Sequence, residues 1–142
     1  MFAVLPFGNT TVIFTLTGAQ LEQAFLNGFT PACNPSFTGG TGRFPQVSGI
    51  RVTYACNGTT PVVTGMWKTP QGIGGPETPI APADTIRIVT NDFMFTGGDG
   101  YTVFTQASDV KLVGDVLLEV AIDYVTANSP VAPVVQGRIV KQ

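Results

Sequence analysis

Alternating strand signals that run into glycine-studded loops constrain this chain most. In Thr85-Ile86-Arg87-Ile88-Val89-Thr90, the residues Ile86, Ile88 and Thr90 alternate with Arg87 and Val89, which predicts a strand. The strand leads directly into Asn91-Asp92-Phe93-Met94-Phe95-Thr96-Gly97-Gly98-Asp99-Gly100-Tyr101. Gly97, Gly98 and Gly100 permit positive φ and close backbone approach. Such a loop can set a flat apolar ring beside a carboxylate, Asp99, that accepts hydrogen bonds. Taken alone, the stretch also reads more plainly as a tight turn with a core phenylalanine.

The rest of the chain fits a small α+β domain. Residues 11–17 alternate, with Val12, Phe14 and Leu16 on one face, and predict a strand. Thr17 stands three residues before Gln20, the spacing of a capping box, so a helix is expected to about Asn27. Leu21, Ala24, Phe25 and Gly28 would face the core, and Gly28 would end the helix. Residues 29–42 read as a long loop with two prolines and several glycines, among them Gly39, Gly40 and Gly42. Ile50, Val52 and Tyr54 mark a strand over 50–56, Asn57-Gly58 a hairpin turn, and residues 61–67 its partner strand. Residues 69–82 are rich in Pro and Gly and should be irregular. Tyr101-Thr102-Val103-Phe104 suits a short strand or a helical turn equally. A helix is expected over 115–127, with Asp115, Glu119 and Asp123 at i, i+4 and i+8. At that spacing like charges cost only a few tenths of a kcal/mol in water, so the stripe reads as a solvated face rather than a metal site. Ser129-Pro130 stops this helix, and residues 137–140 read as a closing strand. The expected fold is a mixed, largely antiparallel sheet packed with two main helices, in a single domain over 1–142.

Composition removes several classes of function. Hydrophobic residues make up 44% of the 142 and charged ones 11%, which suits a packed core rather than a disordered tail. Seven scattered Lys and Arg and a net charge of −2 give no basic stripe for nucleic acid. No apolar run approaches the ~20 residues that span a bilayer, and Met1-Phe2-Ala3-Val4 lacks the start of a signal peptide. Histidine is absent, which rules out a Ser-His-Asp triad, a Cys-His pair and any histidine-ligated metal within the chain. Cys33 and Cys56 are the two cysteines. A bridge between them would close a loop of about two dozen residues and contribute on the order of 3 kcal/mol; two free buried thiols are the alternative. Sequons stand at Asn9 and Asn57, while Asn34-Pro35-Ser36 is disqualified by its proline.

A second phenylalanine sits in a Pro/Gly turn beside an amide at Leu5-Pro6-Phe7-Gly8-Asn9-Thr10. That block runs on into Thr17-Gly18-Ala19-Gln20-Leu21. It is followed in order by residues 42–54, which include Phe44-Pro45-Gln46-Val47-Ser48-Gly49, then by residues 91–101, and by Gln136-Gly137-Arg138-Ile139. These four blocks, in this order, resemble the C-terminal, substrate-specificity domain of the 5'-nucleotidase and UDP-sugar hydrolase family. The resemblance implies that Phe7 and Phe93 sandwich a nucleobase, that Asn9 reads its edge and that Asp99 accepts from the ribose hydroxyls. Gly42 would stand beside the base, where a side chain would obstruct the ring. It further implies a missing N-terminal metallophosphatase domain carrying two divalent metal ions and the catalytic residues. Arg43, Arg51, Arg87 and Arg138 match none of the family's phosphate-binding arginines. On this reading the chain is a nucleoside-binding domain from a longer two-domain hydrolase, secreted or periplasmic, with a nucleoside or nucleotide as ligand and no metal or catalysis of its own. The abrupt apolar start, Phe2-Ala3-Val4-Leu5, suits a piece of a longer polypeptide. The competing class is an extracellular interaction module that keeps the fold without binding nucleotide.

Overall fold

The structure, a computed structural model, describes residues 5–37 and 41–142. Phe2, Ala3 and Val4 of the expected apolar start, and Gly39 and Gly40 of the expected loop, lie outside these residues. In chain order the strands are β1 (Thr10–Thr17), β2 (Ile50–Asn57), β3 (Thr60–Lys68), β4 (Thr78–Pro79), β5 (Thr85–Asn91), β6 (Ser108–Val116) and β7 (Ile139–Lys141). The α-helices are α1 (Gly18–Phe29), α2 (Asp92–Phe95) and α3 (Leu117–Asn128). The α+β class with largely antiparallel pairing holds, and the strands divide between two sheets. The chain forms two compact units. One is built from the chain up to Leu16 with Arg87–Val134, the other from Thr17–Ile86 with Val135–Gln142.

The first unit carries the sheet ordered β5-β1-β6, in which β1 and β6 are antiparallel. The alternation read from the sequence is realised: Val12, Phe14 and Leu16 of β1 are buried. Phe14 meets Phe95 at 5.3 Å and Phe104 at 5.2 Å between ring centroids, and Tyr101 stacks on Phe104 at 5.1 Å. These contacts fold α2 and the following turns onto β1. Tyr101 precedes a 3-10 turn at Thr102–Gln106, which settles the strand-or-turn ambiguity there. Strand β6 falls where the sequence reading had no element. Its pairing with β1 shifts register twice, and Asp109 and Gly114 adopt positive φ of 50° and 83°. Bulges of this kind break the period-2 signal. Helix α3 begins at Leu117, two residues later than expected, because Asp115 is spent on β6, where its carbonyl accepts from Thr11 Oγ1 at 3.3 Å. The three-carboxylate helical stripe therefore does not form. Ser129 caps α3 just before Pro130.

The second unit carries the sheet ordered β4-β3-β2-β7. Strands β2 and β3 form the hairpin, turning at Gly58 with φ 61°. The closing strand β7 pairs parallel to β2, with Val52 N donating to the Arg138 carbonyl at 2.8 Å and Gln142 N to the Tyr54 carbonyl at 2.9 Å. The capping box opens α1: Thr17 Oγ1 accepts from Gln20 N at 3.2 Å and Gln20 Oε1 accepts from Thr17 N at 2.8 Å. Gly28 does not end this helix. It lies buried inside α1, which runs on to Phe29 and is capped by Thr30. Phe29 stacks on Tyr54 at 4.2 Å and meets Phe25 at 5.5 Å and Phe44 at 5.6 Å. Cys33 and Cys56 are bridged, with Cα atoms 5.4 Å apart, which ties the segment after α1 to the end of β2. Trp67 is half-buried, with the Arg51 guanidinium 3.8 Å from its ring centroid, and Glu77 pairs with that guanidinium in turn.

Candidate functional site

Two phenylalanine rings of the first unit stand out of its core. Phe7 is 74% exposed and Phe93 is 49% exposed. Both rings are left in contact with water rather than spent on the core. Phe95 and Tyr101, by contrast, pack inward against Phe14 and Phe104.

Local chemistry explains how the Phe93 ring comes to be there. Helix α2 is only four residues long, and Asn91 starts it by accepting from Met94 N at 2.8 Å through Oδ1. Asp92 is its first residue. One oxygen of the Asp92 carboxylate accepts from Asn9 Nδ2 at 2.9 Å, from Thr10 N at 3.2 Å and from Phe93 N at 2.9 Å. The other accepts from Thr10 Oγ1 at 3.3 Å. A single side chain therefore ties the turn that carries Phe7 to the helix that carries Phe93. Its carboxyl is held below the ordinary aspartate value, first by the Asn9 hydrogen bond, with further donors from Thr10 and Phe93 outweighing partial burial.

Behind the Phe93 ring lies Gly98. A Cβ built there would come within 2.5 Å of both the Phe93 carbonyl oxygen and ring atom Cε1. Only a residue without a side chain lets ring and loop lie this close. Gly97 and Gly100 have φ of 96° and 80°, and Asp99 between them has φ 53°. Aspartate is among the few residues that tolerate this region. The loop thus presents an exposed carboxylate on a backbone that the glycines shape.

Of the residues singled out from the sequence, Phe7, Asn9, Phe93 and Asp99 all belong to the first unit. Gly42 belongs to the second, exposed in the segment before β2. Asp92 was not singled out. Its partner Asn9 is 83 residues away, beyond any local spacing rule. The nitrogen of Asn9 that glycosylation would modify is the one donating to Asp92. Among the described residues no group of three His, Cys, Asp or Glu stands together to hold a metal, and no helix is long and apolar enough to cross a membrane.

Residues 1–106 match the family model described as 5'-nucleotidase, C-terminal domain. The chain is 37% identical over 137 residues to the trifunctional nucleotide phosphoesterase protein YfkN of Bacillus subtilis, covering 96% of this chain and 9% of that protein. It is 31% identical over 140 residues to the snake venom 5'-nucleotidase of Macrovipera lebetinus, covering 96% of this chain and 33% of that one. Among solved structures, the 5'-nucleotidase precursor of Thermus thermophilus superposes with a TM-score of 0.81 at 32% identity, over 99% of this chain and 26% of that one. The chain thus spans a third or less of these proteins.

Proposed function

Because this chain belongs to the 5'-nucleotidase family, matching its C-terminal domain, we propose that it is the nucleoside-binding part of a metallophosphoesterase. Phe7 and Phe93 hold the nucleobase by stacking, worth about 1–3 kcal/mol per base in proteins that bind nucleic acid. Asn9 reads the base edge with its amide, and Asp99 accepts from the ribose hydroxyls. The observation that carries this reading is the pair of solvent-exposed rings whose segments one carboxylate ties together.

Catalysis belongs elsewhere in the parent polypeptide. This chain has no histidine, and no acidic cluster among its described residues suits a metal, so its residues do not fit a two-metal centre. What they supply is orientation: a base held between rings and a ribose held by a carboxylate fix where the phosphate points. The preceding domain of the parent, carrying two divalent ions, performs the hydrolysis. A secreted or periplasmic parent is supported by the relative named as a venom protein.

Titration with adenosine tests the reading. Ring resonances of Phe7 and Phe93 are expected to shift together and saturate; a titration that leaves both unmoved sinks it. Gly98→Ala is expected to weaken the same binding on the order of tenfold by pushing the Phe93 ring aside, a loss within the range of one stacking contact. Unchanged adenosine affinity in Gly98→Ala would show that the ring's position is immaterial.

A further inference from the structure

We infer that Asp92 is a positioning residue that fixes the Asn9 amide in one orientation and thereby selects nucleobases bearing an amino group over those bearing an oxo group. The inference rests on the reading of Phe7 and Phe93 as a nucleobase slot. A carboxylate accepts and does not donate, so it takes the NH2 end of the Asn9 amide, as the 2.9 Å contact shows. Turning that amide over would put its carbonyl oxygen against the carboxylate, two acceptors facing each other. Among the described residues the Asn9 Oδ1 accepts no hydrogen bond. What Asn9 offers a ligand is therefore that oxygen, with the second amide hydrogen beside it.

Adenine matches this offer. Its Watson–Crick edge presents the 6-amino donor beside the N1 acceptor, which an asparagine amide pairs with two hydrogen bonds. Hypoxanthine presents the reverse on the same edge, an oxo acceptor beside a ring N–H. Pairing it equally well would need the flipped amide that Asp92 forbids. The Asp92 oxygen facing Asn9 is itself held by Thr10 N and Phe93 N, two backbone donors that require an acceptor at that place. Asparagine at position 92 therefore keeps an oxygen there and keeps Asn9 as it is. Alanine frees the amide to turn.

Calorimetric titration of the intact chain with adenosine and with inosine decides the matter. Wild type is expected to prefer adenosine about tenfold, the size of one net hydrogen bond gained and one mispaired polar edge avoided. Asp92→Asn retains that ratio, and Asp92→Ala brings it within about twofold of unity. A purely structural loosening would weaken both nucleosides alike and leave the ratio alone. Asp92→Ser serves where the alanine variant does not fold, since its short hydroxyl keeps a polar group at the helix start without reaching Asn9, and it too is expected to lose the preference. Retention of the preference in Asp92→Ala or Asp92→Ser overturns the inference, as does equal binding of both nucleosides by wild type, which would leave the slot itself intact. Failure of wild type to bind either nucleoside overturns the slot and this selectivity with it.

Discussion

Phe93→Ala is expected to weaken adenosine binding by roughly 5- to 150-fold, the range that corresponds to about 1–3 kcal/mol of lost stacking. The variant should fold normally. Phe93 is half exposed and lies outside the aromatic cluster of Phe14, Phe95 and Phe104, so truncating it leaves no sealed cavity. Phe14→Ala, by contrast, would remove a fully buried ring and cost about 3–5 kcal/mol. The separation matters because it assigns any loss of binding to the missing ring and not to a damaged scaffold. An unchanged adenosine affinity in a folded Phe93→Ala protein would show that the base does not stack on this ring. A folded wild type that binds no adenosine would favour the competing class, a module that keeps the fold and binds no nucleotide.

The second large effect concerns the second unit. Replacing Cys33 and Cys56 by serine together is expected to lower unfolding free energy by about 3 kcal/mol. The bridge closes a loop with a sequence separation of 23, and opening it restores that loop's freedom to the unfolded chain. Chemical denaturation of the double variant beside the oxidised wild type gives the difference directly. A loss under about 1 kcal/mol would mean that the loop is constrained without the bridge. Because the bridge lies in one unit and Phe7 and Phe93 in the other, adenosine affinity measured well below the transition serves as an internal control for the first unit.

Much of the fold was legible where the signal is local. The alternation of Val12, Phe14 and Leu16 marked β1, Thr17 and Gln20 marked the start of α1, and Asn57-Gly58 marked the hairpin. Each of these depends on residues within four positions of one another. The misses have physical causes of the opposite kind. Gly28 reads as a helix stop only if its φ turns positive, and inside α1 it keeps the helical backbone instead. Strand β6 hides its period behind bulges, and starting the following helix at Asp115 drew that residue into the wrong element. At the candidate site, the rings and Asp99 were visible as motif positions. Asp92 was not, because a carboxylate before a phenylalanine says nothing about a partner at Asn9. Sequence patterns reveal what a residue can offer; only the folded chain reveals to whom.

The parallel partnership of β7 with β2 sets an order of events during synthesis. Residues 17–86 leave the ribosome long before residues 139–141, so one flank of β2 stays open while everything between is translated. A premature stop shortly after Val134 would leave every residue of the first unit in the chain. It would strand the amide of Val52 and the carbonyl of Tyr54, eighty residues upstream of the break, without the neighbours they meet in the finished chain.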